Sequence, residues 1–194
     1  MRKFEIEEGA LKVLYVGRIS KEKNVPFLLE SWKRFKKEYE EQKAQLVMIG
    51  EGVLRKKTKE MKAYDAHMVG PIVGPDLARL YAEADLFLFP SVTDTLGQVV
   101  MEAQASRVPV IVSDIGGPKT LVGMRGESGL VVPVDDPDRW AKAIAELLHD
   151  PERRKKMGKN GRKGMETLPI ADSYHDFYER HRYIYGQVEL EDED

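Results

Sequence analysis

The stretch LKVLYV at residues 11–16 is short, apolar and rich in β-branched side chains, and it stops at Gly17. Such a run is typical of a buried β-strand. Five similar runs follow, at residues 46–49, 67–69, 86–89, 108–112 and 129–132. Each run is almost continuously apolar rather than alternating, which indicates strands covered on both faces and therefore a parallel sheet.

Helical patterns lie between the apolar runs. Residues 27–41 place Leu28, Trp32, Phe35 and Tyr39 on one stripe, as in an amphipathic helix. Further helices are predicted at residues 53–62, 75–83, 97–106, 119–122, 138–149, 152–161 and 172–185. The alternation of strand and helix predicts an α/β fold, a Rossmann-like, doubly wound parallel sheet of about six strands with extra C-terminal helices.

The composition excludes several functional classes. The 194 residues fit one domain with a sizeable core, and the 31 Lys plus Arg against 33 Asp plus Glu leave a net charge of -2. This balance argues against nucleic acid as a partner, because neutralising many phosphates needs a cationic excess. With no cysteine, disulfides and thiolate chemistry are excluded. The sequence contains neither a signal peptide nor a membrane-spanning run, which predicts a cytoplasmic location.

In a doubly wound sheet, ligands bind outside the carboxyl ends of the strands. The first candidates for a site are therefore the segments that follow the predicted strands, at residues 17–23, 50–52, 70–71, 91–97 and 114–117. Their glycines would let the backbone approach a ligand, and two segments open helices whose N-termini attract phosphate oxygens. This composition favours a nucleotide site.

Four charged side chains in or near these segments are candidate ligands. Arg18 and Lys23 could reach one diphosphate or be ordinary solvated cations. Asp94 either faces the ligand or caps the helix at residues 95–106. Glu102, which has apolar neighbours in sequence, either holds a ligand or is a buried structural carboxylate.

The GEG segment at residues 50–52 lacks the dinucleotide-binding fingerprint, because Arg55 stands where a third glycine would be. This segment is either a strand-to-helix turn or the margin of a site. The missing fingerprint also disfavours a dinucleotide-dependent oxidoreductase.

Taken together, the motifs resemble one known family. In order, the matching pieces are YVGR at 15–18, EK at 22–23, GEG at 50–52, ADLFLFPS at 84–91, TDTLGQVVMEA at 93–103, PVIV at 109–112 and GGP at 116–118. They resemble the C-terminal, nucleotide-binding domain of retaining glycosyltransferases with the GT-B fold, family GT4. The resemblance covers most of the chain.

The resemblance implies a role for each matching residue. It implies that Arg18 and Lys23 hold the donor diphosphate, that Asp94 binds the donor sugar, and that Glu102 takes the ribose hydroxyls. These roles make Arg18, Lys23 and Asp94 the expected catalytic residues. The remaining expected donor contacts are Gly17, Gly50, Val69, Gly70, Leu96, Gly97 and Gln98. The implied ligand is a UDP- or GDP-sugar, with no metal and no further cofactor.

Three positions depart from the family pattern. Asp94 replaces the more usual glutamate, Arg107 stands where the family has glycine, and Thr120 stands where an acidic residue often follows the GGP loop. The first affects the sugar contact, and the other two affect local loop geometry.

The resemblance also implies the domain organisation. Residues 1–10 are a linker or lead-in, 11–168 the nucleotide-sugar-binding domain, 169–188 a crossover helix and 189–194 an acidic tail. In the family, an N-terminal domain binds the acceptor, and that half is missing here. We therefore expect a fragment of a hexosyltransferase that binds the donor but does not turn it over. We expect the intact enzyme to associate peripherally with the inner face of the membrane. The alternatives are a GT-B nucleotide-sugar epimerase half and a non-catalytic nucleotide-binding module.

Overall fold

A six-stranded sheet runs through the part of the chain that the computed structural model describes, namely residue 7 and residues 9–54, 59–123 and 126–168. Its strands are β1 Leu11–Val16, β2 Ala44–Ile49, β3 Ala66–Gly70, β4 Leu86–Phe89, β5 Val110–Ser113 and β6 Gly129–Val132. They lie in the order β3-β2-β1-β4-β5-β6, and every neighbouring pair is parallel. The predicted α/β, Rossmann-like fold is confirmed.

Five α-helices connect or cover these strands in the described residues. They are α1 Val25–Glu38, α2 Gly74–Ala82, α3 Gln98–Ala105, α4 Pro137–His149 and α5 Pro151–Glu166, with short 3₁₀ turns at Lys59–Tyr64 and Pro118–Leu121. None of the described helices is both long enough and apolar enough to cross a membrane.

Both faces of the sheet are covered, as the continuous apolar runs predict. On β1, Val13 and Tyr15 belong to the core beneath α1 and α4, whereas Leu14 and Val16 belong to the core beneath α2 and α3. Trp32 of α1 and Trp140 of α4 are fully buried in the first of these cores.

Three helix predictions differ from the structure. The helix expected at 53–62 gives only the 3₁₀ turn Lys59–Tyr64 among its described residues, and that expected at 119–122 is also a 3₁₀ turn. Helix α5 continues to Glu166, past the predicted end at residue 161. The expected helix at 172–185 and the proposed segments 169–188 and 189–194 lie outside the described residues.

The longer α5 has a packing reason. Its glycines suggest a helix end, because glycine is a poor helix former. In the structure Gly158 meets the chain just after α3, where a Cβ would lie 2.1 Å from the carbonyl oxygen of Arg107. Gly161 faces Gln104 of α3 in the same way, with a Cβ 3.3 Å from its side chain. The glycines allow close approach of α5 to α3.

The departure at Arg107 carries backbone strain. Its φ of 64° lies in the left-handed region, where a non-glycine residue is disfavoured by roughly 1–2 kcal/mol. We expect Arg107→Gly to raise the free energy of unfolding by about 0.5–1 kcal/mol, since glycine removes the strain but gives the unfolded chain more freedom. Urea denaturation measures the difference. Arg107→Ala keeps the strain and should give no gain, and a destabilised glycine variant would contradict the interpretation.

Candidate functional site

The strand order reverses direction between β1 and β4. From β1 the chain crosses to β2 on one side, whereas β4 pairs on the other side of β1 through Val13–Leu86 and Leu14–Phe87. The loops that leave β1 and β4 therefore diverge at the carboxyl edge, which is where doubly wound sheets form a ligand crevice. Arg18 and Lys23 lie on the first loop and Asp94 on the second.

An ion pair joins these two loops. The Lys23 Nζ atom lies 2.8 Å from both Asp94 Oδ1 and Asp94 Oδ2, and the two side chains are only 18% and 21% exposed. The hydroxyl of Ser91, a fully buried residue, donates a further hydrogen bond to Asp94 Oδ2. Lys23 is therefore not a freely solvated cation, and Asp94 does not cap α3, whose N-cap is Gly97.

Two hydrogen bonds between the same loops support the ion pair. The side-chain amide of Asn24 donates to the carbonyl oxygen of Pro90 at 3.3 Å, and the Thr93 hydroxyl donates to the carbonyl oxygen of Glu22 at 3.3 Å. Asn24 itself has a φ of 53° at the start of α1. The position of Lys23 opposite Asp94 is thus fixed by loop packing as well as by charge.

Arg18 has a different partner. Its guanidinium pairs with Glu22 at 2.8 Å, and its side chain is 66% exposed. Its carbonyl oxygen accepts a hydrogen bond of 2.8 Å from the hydroxyl of Tyr15. Burial, and then the negative charge of Asp94, raises the pKa of Tyr15, so this hydroxyl remains a proton donor. The two predicted phosphate-binding cations therefore share a loop but are each paired with a separate carboxylate.

A cavity of about 430 Å³ opens beside Asp94. It is lined by Asp94, Thr95, Leu96, Gly97, Gln98 and Val99. These residues form the start of α3, where the first amides of a helix have no intrahelical partner and the helix dipole is positive. The structure thus brings the predicted contacts Leu96, Gly97 and Gln98 together with Asp94 around one space suited to an anion.

Glu102 lies in α3, one turn beyond Gln98. Its side chain is exposed, because its neighbours Val100 and Ala103 turn into the core and leave Glu102 on the opposite face. It is therefore not the buried structural carboxylate that the apolar sequence context allowed. Beside it, burial and then the negative charge of Glu102 raise the pKa of the Tyr81 hydroxyl, which donates to the carbonyl oxygen of Val99 at 3.3 Å.

The glycines after β1 and β2 serve loop packing. A Cβ on Gly50 would lie 2.0 Å from the carbonyl oxygen of Gly17, and one on Gly52 would lie 2.2 Å from that of Ile19. The sequence suggests that these glycines let a ligand approach the backbone. In the structure, the backbone of the loop after β1 occupies the space beside Gly50 and Gly52 instead. Gly50 also donates to the carbonyl oxygen of Gly70 at 2.9 Å, which aligns the ends of β1, β2 and β3.

At the end of β3, Gly70 is buried but has space beside its Cα atom. Nothing lies within 4 Å of the position that a Cβ on Gly70 would occupy, and its φ is 81°. Val69, the preceding residue, is half-buried. These two residues could face a ligand, and they lie two strands away from β1 along the same edge of the sheet.

The loop after β5 supports the loop that carries Asp94. The amide of Gly117 donates to the carbonyl oxygen of Asp94 at 2.9 Å, and a Cβ on Gly117 would lie 1.6 Å from the carbonyl oxygen of Thr95. Thr120, the departure after the GGP motif, closes this loop by donating its hydroxyl to the carbonyl oxygen of Gly117 at 2.8 Å.

The polar groups of the site are charged side chains and backbone amides. Among the described residues, no group of three or more histidine, aspartate and glutamate side chains is placed to hold a metal ion. The site presents one lysine, one arginine and the N-terminus of α3, and an exposed carboxylate lies one turn further along that helix. Such a set suits a ligand with both anionic and hydroxyl groups.

Comparison with known proteins places these features in a family. The family model of glycosyl transferases group 1 matches residues 1–164. The chain is 37% identical over 158 residues to a GDP-mannose-dependent alpha-mannosyltransferase of Corynebacterium glutamicum, covering 81% of this chain and 36% of that protein. It is 32% identical over 170 residues to a D-inositol 3-phosphate glycosyltransferase of Corynebacterium kroppenstedtii, covering 82% and 37%.

Solved structures agree with this result. The sucrose-phosphate synthase of Thermosynechococcus elongatus superposes with a TM-score of 0.79 at 27% identity, covering 94% of this chain and 47% of that one. The structural neighbours are GT-B glycosyltransferases. The chain spans just over a third of the length of the curated relatives described above.

Proposed function

The chain belongs to the glycosyl transferases group 1 family, and we propose that it is the part of a retaining hexosyltransferase that binds the nucleotide-diphospho-sugar donor. The observation that carries the proposal is the Lys23–Asp94 pair, which lies at the strand-order reversal beside the cavity at the start of α3. The roles of the other residues are those that the family resemblance implies.

The diphosphate would lie between Lys23 and the start of α3. A diphosphate oxygen can accept from the Lys23 ammonium and from the amides near Gly97 and Gln98, which combine a point charge with a helix N-terminus. Arg18 could exchange Glu22 for the same anion, since its present ion pair is solvent-exposed and such pairs are weak, about 0–1 kcal/mol. As the sugar leaves, these donors would stabilise the charge that grows on the diphosphate.

The ribose and the base would extend along the edge of the sheet. An exposed carboxylate such as Glu102 can accept hydrogen bonds from both hydroxyls of a ribose. The base would face Val69 and Gly70, where the end of β3 leaves open space. A UDP- or GDP-linked sugar fits this layout, with no metal and no further cofactor.

The acceptor side of the reaction would come from another domain. Transfer requires the acceptor to be held against the donor, and the chain corresponds to 36–37% of the length of its relatives. We therefore expect donor binding with little turnover from this chain alone. The intact enzyme would work in the cytoplasm, with peripheral association at the inner face of the membrane.

Glu102→Ala tests the ribose contact. We expect it to weaken UDP or GDP binding by about 1–3 kcal/mol, the effect of removing a charged hydrogen-bond acceptor. Isothermal titration calorimetry measures the change. The control is Glu38→Ala, which removes an exposed glutamate at the end of α1. Equal affinities of the Glu102→Ala variant and the parent would remove Glu102 from the site.

The choice of nucleotide can be tested with unmodified protein. Thermal unfolding is recorded with UDP, GDP, ADP and NAD in separate samples. Stabilisation by UDP or GDP supports the donor site and identifies the base. A response to NAD alone would favour an oxidoreductase and overturn the proposal.

A further inference from the structure

Three residues form a connected cluster at the mouth of the site: Ser91, Asp94 and Lys23. Ser91 follows β4 directly after Pro90, is fully buried, and donates its hydroxyl to Asp94 Oδ2. Asp94 in turn receives the Lys23 ammonium on both of its oxygens at 2.8 Å. The Ser91 hydroxyl therefore reaches Lys23 only through the carboxylate.

We propose that Ser91 is a positioning residue, whose hydroxyl orients the Asp94 carboxylate so that this carboxylate holds the Lys23 ammonium ready for the donor diphosphate. The proposal rests on the proposed function. It adds to Lys23 and Asp94, which would contact the donor, a residue that would hold them in position.

The orientation of a carboxylate depends on a soft torsion. The terminal torsion of aspartate is broad and roughly two-fold, so the Lys23 contact alone leaves Asp94 free to turn about its side-chain bond. A second donor from a different direction removes that freedom. Ser91 can supply it because its backbone is fixed at the end of β4 and its side chain has no access to solvent.

The held lysine retains capacity for a ligand. An ammonium has three donors, and the two Asp94 oxygens use at most two of them. The remaining donor can meet a phosphate oxygen without first ordering the lysine side chain, whose lost rotamer freedom is worth up to about 1.5–2 kcal/mol. Asp94 retains capacity as well, because a carboxylate has about four acceptor sites and Lys23 and Ser91 use three of them.

A double-mutant cycle separates positioning from general stability. We expect Ser91→Ala to weaken UDP or GDP binding about fivefold in the parent chain. The effect is smaller than the loss of a whole charged hydrogen bond, because Ser91 acts on the contact between Lys23 and the diphosphate only through Asp94. In an Asp94→Ala background the same change should alter affinity less than about twofold, because the carboxylate that transmits the effect is gone. The matched control is Ser31→Ala, which removes another buried serine hydroxyl, bonded to Phe27 within α1.

The reactivity of Lys23 provides a readout that does not need a ligand. The chain is treated briefly with acetic anhydride, and mass spectrometry compares acetylation of Lys23 with that of the exposed Lys21 on the same loop. We expect Ser91→Ala to raise the Lys23 to Lys21 labelling ratio at least about twofold, because a Lys23 side chain that Asp94 holds less firmly leaves the carboxylate more often and becomes more accessible to the reagent.

The outcomes are distinct. Weaker binding that disappears in the Asp94→Ala background, together with higher Lys23 labelling, supports the proposal. Unchanged binding, or an equal loss in both backgrounds, overturns it. If the parent binds neither UDP nor GDP, the proposed function fails, and Ser91 is then judged by the labelling ratio alone, where no change overturns the positioning role.

Discussion

The Lys23→Met variant is expected to bind UDP or GDP at least about 100-fold more weakly than the parent chain, a loss of about 3 kcal/mol. Two effects add. The diphosphate loses its ammonium donor, and Asp94, only 21% exposed, keeps a negative charge with its cation gone. Two unit charges about 4 Å apart near a protein surface interact by about 4 kcal/mol, so repulsion contributes strongly. Calorimetric titration measures the affinity.

Two further variants test this explanation. Lys21→Met removes an exposed lysine from the same loop and should leave the affinity unchanged. Lys23→Met combined with Asp94→Asn removes both charges and should recover part of the lost affinity. An affinity within about threefold of the parent for Lys23→Met would show that the diphosphate does not meet this lysine, because a charged hydrogen bond is worth more than that.

The Gly117→Ala variant is expected to lower the free energy of unfolding by about 3 kcal/mol. The backbone at Gly117, with a φ of -73°, suits any residue, but an added Cβ would lie 1.6 Å from the carbonyl oxygen of Thr95. The two loops must separate, which breaks the hydrogen bond from Gly117 to the Asp94 carbonyl. Urea denaturation followed by circular dichroism measures the loss.

Gly74→Ala provides the matched comparison. Gly74 has a φ of 64° and nothing within 4 Å of a built Cβ, so alanine there carries only the left-handed penalty of about 1 kcal/mol. If Gly117→Ala is no more damaging than Gly74→Ala, close loop packing does not support the site.

Most of the fold follows from the sequence because the four inner strands are largely buried on both faces. The apolar run at 11–16 coincides with β1, whereas β2 begins at Ala44, two residues before the predicted start. The early start includes Gln45, a polar residue that is nevertheless buried. The end of helix α5 was predicted too early, because its glycines are favoured there only by close packing against α3, which is distant in sequence.

The location of the candidate site also follows from the sequence, but its pairing does not. Arg18, Lys23, Asp94 and Glu102 all follow β1 or β4 along the chain, as the rule for doubly wound sheets predicts. The partner of Lys23 lies 71 residues away and is set by how two loops pack. The apolar sequence around Glu102 was a poor guide to its exposure, because helix geometry points it away from its neighbours.

Two residues that shape the site were missed. Ser91 lies in a motif that the sequence analysis identified. Its position three residues before Asp94 indicates that its hydroxyl can reach the Asp94 carboxylate. Tyr15 lies in the buried half of β1, where a phenol among aliphatic residues indicates a hydroxyl that needs a partner. That partner is the carbonyl oxygen of Arg18.

A crystal structure of the chain with GDP or UDP bound would show whether Lys23, the start of α3 and Glu102 meet the same nucleotide. We expect the terminal phosphates within about 3 Å of Lys23 and of the amides that begin α3, with the ribose hydroxyls on Glu102. A nucleotide bound on another face, with Lys23 and Glu102 both free of it, would overturn the proposed donor site.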